Sequence, residues 1–121
     1  MKSDKRALTA QEIQLVSAVL SQERDARDEF DVTASLYKVS ILDKFGSLRF
    51  WEGPDQPRQA DLSGAVGVAT AKVEGSTDPD DSIELLVFYS RGVITELQIY
   101  TLNGKGLERP VTANQIVKVG Y

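Results

Sequence analysis

The sequence predicts a single α+β domain, with one N-terminal helix packed on an antiparallel sheet of about five or six strands. Apolar residues recur at helical spacing near the N-terminus, and residues 33–121 carry short β-type runs between turn-forming residues. Helices and strands do not alternate, which argues against a parallel, doubly wound sheet. A chain of 121 residues supports one hydrophobic core. We therefore expect residues 1–121 to form one domain, with residues 1–7 frayed.

The helix is predicted over residues 9–22 and begins with a capping sequence. Thr9 and Glu12 are spaced so that the hydroxyl accepts the Glu12 N–H and the carboxylate accepts the Thr9 N–H. An apolar stripe follows on one side of the helix: Ile13, Val16 and Leu20. The next segment, residues 23–31, has seven charges and a single large apolar residue, Phe30. We expect this segment to be a solvated connector that extends the helix by a turn or two.

After residue 33 the apolar residues no longer recur at helical spacing, and the pattern becomes typical of β-strands. Strands are predicted within residues 34–42, where Tyr37, Val39 and Ile41 share one face, and at residues 47–51, 65–73, 83–89, 93–101 and 116–119. Residues 83–89 are apolar on both faces, so we expect a central strand covered on both sides or nearly so. Residues 93–101 alternate, and Gly92 suits the positive φ of a hairpin turn. Prolines interrupt the pattern after Trp51.

The composition argues against an enzyme. The chain contains no cysteine and no histidine. Disulfides, thiolate metal sites and His-assisted nucleophiles are therefore excluded, as is the usual acid–base group near neutral pH. Glycine pairs in the sequence fit no phosphate-binding motif. We predict no catalytic residue, no cofactor and no metal site.

The charge balance argues against nucleic acid as a partner. Eighteen acidic and fourteen basic side chains give a net charge of −4, and the longest basic cluster (Lys2, Lys5 and Arg6) lies at the N-terminus. Nucleic-acid binding normally needs a clustered basic surface. No apolar stretch has the length of a secretory signal core or of a membrane span. We expect a cytoplasmic protein that binds no membrane.

Two acidic loops and one tryptophan are the candidate partner-binding features. The segments 52–61 and 74–84 contain eight acidic residues and one basic residue. If both lie at one end of the sheet, they form a single acidic patch. The spacing of the second loop does not match that of an EF-hand, so a Ca²⁺ site is disfavoured. The predicted partner-binding residues are Trp51, Asp55, Asp61, Glu74, Asp78, Asp80 and Asp81.

Three segments together resemble a known group of proteins. They are RALTAQEIQLVSAVL, FGSLRFW and IELLVFYSRGVITELQIYTLNGKGL, in this order. The pattern resembles small bacterial immunity proteins encoded beside polymorphic or contact-dependent growth inhibition toxins. The matching positions are Leu8, Thr9, Glu12, Gly46, Ser47, Leu48, Phe50, Thr95, Glu96, Leu97 and Ile99. The group often carries an acidic–Gly turn and a Trp in its hairpin, where this chain has Ser90, Arg91, Gly92 and Tyr100.

The resemblance implies a binding protein that neutralises a cognate bacterial toxin by forming a stoichiometric complex. An acidic protein is complementary to the basic cleft of a nuclease toxin, although a toxin of another activity fits the resemblance equally well. The alternative is a small-molecule-binding or structural α+β domain without catalysis, with a cavity between helix and sheet. A toxin gene beside this one would favour the first, and a deep apolar pocket with convergent polar groups the second.

Overall fold

The computed structural model describes residues 4–120, except for the side chain of Pro79. In this part of the chain there are two α-helices and seven strands. The helices are α1 (Ala10–Val19) and α2 (Arg24–Thr33). The strands are β1 (Arg6–Ala7), β2 (Lys38–Ile41), β3 (Leu48–Trp51), β4 (Gly64–Lys72), β5 (Ser82–Ser90), β6 (Val93–Thr101) and β7 (Ile116–Val119). The α+β class is confirmed, with one helix more than predicted.

The capping sequence predicted for α1 is present. The Glu12 N–H donates to Thr9 Oγ1 at 3.1 Å, and the Thr9 N–H donates to the Glu12 carboxylate at 2.8 Å. The same carboxylate accepts two 2.7 Å hydrogen bonds from the Arg6 guanidinium. Arg6 and Ala7 belong to β1, within the segment predicted to be frayed, whereas residues 1–3 lie outside the described residues.

The segment predicted to be a solvated connector is a second helix with one buried face. α1 ends at Val19, and turns at Ser21 and Glu23 separate it from α2. On α2, Phe30 is 2% exposed and its ring lies 6.2 Å from that of Tyr37. Ala26 and Glu29 are buried on the same helix, while most of its other charged side chains face solvent. The seven charges of the segment therefore do not prevent a buried face, because the Phe30 ring alone removes a large apolar area from water.

All seven strands form one antiparallel sheet in the order β1–β2–β3–β6–β5–β4–β7. The two longest pairings, β5 with β6 and β4 with β5, occupy the middle of the sheet and its β4 side. The β5–β6 turn has positive φ at Arg91 and Gly92, as a tight hairpin turn of the primed type requires. The prediction undercounted the strands because β1 has only two residues and carries no periodicity of its own.

The core lies between the helices and one face of the sheet. Val16 of α1 and Leu20, the C-cap residue of that helix, are fully buried, and Ile83, Leu85 and Val87 of β5 alternate toward them. Helix α1 contacts β4, β5 and β7. Gly67 lets the helix approach, since a Cβ there would lie 3.0 Å from the Val19 carbonyl oxygen and from Leu20 Cδ2. The predicted apolar stripe of α1 therefore packs on the sheet.

The opposite face of the sheet carries no helix within residues 4–120; we call it the open face. Its side chains belong to the alternate strand positions: Lys38, Ser40, Arg49, Trp51, Val68, Thr70, Lys72, Glu84, Leu86, Phe88, Glu96, Gln98, Tyr100 and Lys118. Most are half-buried, and Tyr100 is 41% exposed. Strand β5 is interior, as predicted, but it is covered on one side only.

Neither helix in the described part of the chain has the length and apolarity needed to cross a membrane.

Candidate binding surfaces

One end of the molecule is built from α2 and the loop that follows β3. We call residues 23–31 and 52–61 together the acidic end. The backbone N–H of Arg58 donates a 2.7 Å hydrogen bond to Glu29 Oε2, which ties the loop to the helix. The β5–β6 turn supports the same loop because the Gly92 N–H donates to the Leu62 carbonyl at 2.8 Å. A Cβ on Gly92 would lie 2.6 Å from the Gln59 carbonyl oxygen, so this close approach requires glycine.

The acidic end concentrates the negative charge of the chain. It contains eight acidic and three basic side chains, for a net charge of −5, against −4 for the whole sequence. Asp25, Asp55 and Asp61 are exposed, and within residues 4–120 their carboxylates accept no hydrogen bond and form no ion pair. These charges are therefore solvated and free to meet an external group.

The second acidic segment uses its carboxylates differently. We call residues 74–81 the acidic loop. Asp81 accepts hydrogen bonds from the Ser76 hydroxyl and, at 3.1 Å, from the Asn103 amide. Asp78 accepts the Asp80 N–H at 2.9 Å, in the manner of an Asx turn. Two of its four carboxylates therefore stabilise the loop itself, while Glu74 and Asp80 remain exposed.

The two acidic segments do not form one patch. The loop 52–61 lies beside the β5–β6 turn, whereas the acidic loop follows β4 and is hydrogen-bonded to the other end of β5 and β6. Strand β4 connects the two ends, and its nine residues span about 26 Å. The condition for a single acidic patch is not met. Of the predicted residues, Trp51, Asp55 and Asp61 share one end, and Glu74, Asp78, Asp80 and Asp81 share the other.

Trp51 lies on the open face at the border of the acidic end. Its Nε1–H donates to Ser40 Oγ at 3.1 Å, which fixes the indole over β2. The Lys5 Nζ lies 4.2 Å from the ring centroid and the Arg49 Cζ lies 4.5 Å from it. The indole is half-buried. Trp51 is thus an oriented aromatic side chain that lies next to two positive charges and borders the acidic end.

Two buried tyrosines lie beneath the acidic end. The Tyr37 hydroxyl accepts the Ile94 N–H at 3.1 Å, and its ring packs edge-on against Phe50. Burial raises the pKa of both tyrosines, and it raises that of Tyr89 more than that of Tyr37. The negative charge of Glu29 adds to both shifts. Both tyrosines are therefore protonated near neutral pH and act as packing groups.

A cleft of about 680 Å³ lies at the opposite end, between the acidic loop, the segment 102–115 and the start of α1. Its walls include side chains of both signs: Glu74, Asp81, Lys105, Glu108 and Arg109. Apolar residues, among them Val73 and Leu107, line it together with these charged groups, and the cleft is partly open to solvent. It lies at the end of the sheet, whereas the small-molecule alternative expects a deep cavity between helix and sheet.

Within the described ranges, no group of three or more Asp and Glu side chains is arranged to hold a metal ion. Comparisons of the chain with protein-family models, with curated proteins and with solved structures give no match.

Sequence reasoning missed the contribution of α2 to the acidic end. Asp25 and Asp28 line a shallow groove together with Gln59 of the loop 52–61, although Gln59 is more than thirty positions from either aspartate. The available signal was Phe30, a lone aromatic among charges, which is typical of a helix with one buried face. The contact between helix and loop is non-local, so no local pattern predicts it.

Proposed function

We propose that this chain is a bacterial immunity protein, which binds a cognate protein toxin in the cytoplasm and blocks it by forming a stoichiometric complex. The observation that supports the proposal most is the acidic end, where α2 and the loop 52–61 bring a net charge of −5 onto one surface. Such a surface steers and orients a basic partner. The sequence resemblance described above points to the same class of protein.

The binding site we propose is narrower than the set of residues predicted from sequence. It comprises the exposed carboxylates of the acidic end together with Trp51. Among them, Asp25, Asp55 and Asp61 are solvated and are free to pair with Lys and Arg side chains of a partner. Trp51 supplies an oriented aromatic group at the border, and binding energy concentrates in such residues. The acidic loop is a weaker choice because Asp78 and Asp81 stabilise the loop itself.

The partner we propose is a toxin with a basic, substrate-binding cleft, of which a nuclease is the natural example. In this mechanism the immunity protein needs no catalytic group, cofactor or metal. The immunity protein occupies the cleft of the toxin. Charge complementarity accelerates association, and the side chains buried at the centre of the interface slow dissociation.

The test is co-expression with the product of the adjacent reading frame. We expect the two proteins to co-purify, and titration calorimetry of the separated partners to give one-to-one binding. The toxin should lose its activity at equimolar protein and stay active with the variant Trp51→Ala/Asp55→Lys/Asp61→Lys. Full toxin activity in the presence of excess wild-type protein would reject the proposal.

The second candidate, a small-molecule-binding domain, rests on the 680 Å³ cleft beside the acidic loop, which has the volume for a ligand although it lies at the end of the sheet and not between helix and sheet. Native mass spectrometry of the freshly purified protein tests it. A bound molecule of fixed mass, removed by mild denaturation, would support this alternative.

A further inference from the structure

Four residues of the open face form a compact group, which we call the Trp51 platform: Lys5, Lys38, Arg49 and Trp51. Lys5 and Arg49 both lie over the indole ring, within 4.5 Å of its centroid. Lys38 is the cross-strand partner of Trp51 in the β2–β3 pairing. Side chains directly opposite on one face of an antiparallel pair lie in contact range. Two positive charges therefore lie over one aromatic ring, and Lys38 adds a third positive side chain at the neighbouring position of β2.

Within residues 4–120, these three cations have no internal counter-ion. In the part of the chain that the structure describes, the ion pairs within 4.0 Å are Arg6–Glu12 and Arg27–Asp28. Glu96 is the cross-strand partner of Arg49, yet it does not come within that distance. The positive charge of the Trp51 platform is therefore left for an external group.

The geometry also decides between two kinds of anionic partner. A single-stranded nucleic acid would bind by stacking a base on the ring and placing phosphates on the cations. On Trp51 the cations already lie over the ring, and its N–H is engaged by Ser40. A carboxylate needs no stacking face and pairs directly with Lys and Arg side chains. The platform is therefore better matched to an acidic protein segment.

We infer that the Trp51 platform receives an acidic segment of the protein partner, next to the basic surface that meets the acidic end. This inference rests on the proposed function and adds the second half of the interface. Glu52 follows Trp51 directly, so negative and positive surfaces adjoin at this residue. A partner must then present a basic and an acidic surface side by side. Such an arrangement fixes the orientation of the complex and rejects partners with one sign of charge.

Trp51 is the single tryptophan of the chain, so its fluorescence reports directly on the platform. The purified protein is titrated with a short oligoglutamate peptide at low salt. We expect a saturable change in emission, and binding about tenfold weaker for Lys38→Glu/Arg49→Glu because two exposed ion pairs are lost and reversed. The matched control is Lys72→Glu/Lys118→Glu, which reverses two charges elsewhere on the same face and should leave the affinity within about twofold.

Two outcomes would overturn the inference. One is the absence of any change in emission with oligoglutamate, or a loss of affinity that is equal in the platform variant and the control variant. The other is tighter binding of an oligothymidylate of equal charge with the same variant sensitivity, which would make the platform a nucleic-acid surface. Circular dichroism checks that both variants are folded. Since no toxin enters this experiment, the inference fails independently of the co-purification test that decides the proposed function.

Discussion

The backbone N–H of Arg58 donates a 2.7 Å hydrogen bond to the side chain of Glu29, across 29 positions of sequence. Glu29 is only 7% exposed, so its carboxylate lies mostly under the loop that it holds. A buried acceptor that satisfies a backbone donor is costly to remove because the donor is then left unpaired. This contact therefore ties the loop 52–61 to α2, in addition to the support that the β5–β6 turn gives the loop.

Replacing Glu29 should loosen this end of the molecule. We expect Glu29→Ala to lower the free energy of unfolding by about 1–3 kcal/mol, because the Arg58 N–H loses its partner. Glu29→Gln retains an acceptor oxygen of the same shape and should cost less. Urea denaturation measures both. Asp25→Ala, an exposed carboxylate on the same helix, is the control and should stay within about 0.5 kcal/mol of wild type. Equal losses for Glu29→Ala and Asp25→Ala would contradict the assigned role.

The elements that the sequence predicts well are those determined by local pattern. The Thr9–Glu12 cap lies three residues apart, and β5 and β6 are neighbours joined by a tight turn at Gly92. Each could be predicted because the residues that carry the signal are close in sequence.

The rest depends on contacts between distant segments. Neither the pairing of β3 with β6 nor the Glu29–Arg58 hydrogen bond has a local signature. The same holds for the placement of the two acidic segments, which follows from strand order. The sequence could therefore identify the acidic loops and Trp51 as candidates, but it could not show that Asp55 and Asp81 lie at opposite ends of the sheet.

Helix α1 should be essential for folding. Leu20 is fully buried and touches β4 near Gly67. Leu20→Ala should cost about 2–5 kcal/mol, as is typical when a buried aliphatic side chain is truncated. Leu20→Asp buries a charge in addition and should leave a poorly folded protein. Gln14→Asp, on the exposed side of the same helix, is the control. An unchanged urea midpoint for Leu20→Asp would mean that the helix is dispensable.

The Arg6–Glu12 ion pair should make stability depend on pH. Burial by itself raises the pKa of the Glu12 carboxyl, but the hydrogen bonds from Arg6 and Thr9 outweigh this and hold the pKa below its ordinary value. The folded state therefore binds the proton less readily than the unfolded state. The stabilisation is complete above the unfolded pKa, about 4.3, and is lost as pH falls through the lower folded value.

Glu12→Gln isolates this effect because Gln at the same position preserves the capping box. We expect wild type to be more stable than the variant at about pH 6, with the difference shrinking towards about pH 3. Thermal unfolding at a series of pH values gives the comparison. A difference that is constant over this range would show that the ion pair does not contribute the pH dependence.

The protein should have no hydrolase or nuclease activity of its own. The sequence contains neither His nor Cys, and Asp78 and Asp81 of the acidic loop are engaged in hydrogen bonds within that loop. The assay uses pure protein with nucleic acid and with glycoside substrates, with and without Mg²⁺. Turnover that disappears on mutating a single Asp or Glu would contradict this prediction.

The two ends of the sheet allow a matched test of the proposed interface. Asp25→Lys/Asp55→Lys/Asp61→Lys reverses three exposed carboxylates of the acidic end. Three exposed carboxylates at the opposite end provide the control: Glu74→Lys/Asp80→Lys/Glu108→Lys. Each triple variant changes the net charge from −4 to +2, so any effect of overall charge is the same in both.

The measurement is stopped-flow association with the purified product of the adjacent reading frame, over a range of salt concentration. We expect the first variant to associate at least about tenfold more slowly at low ionic strength, because charges at an interface act mainly on the association rate. The control should be slowed less, and the contrast should be clearest near physiological salt, where charges about 26 Å from the acidic end lie several Debye lengths away. Both differences should shrink as salt is added. Equal slowing of association in the two variants would mean that net charge alone steers the partner. A larger slowing in the control would mean that the partner binds at the acidic loop and its neighbouring cleft.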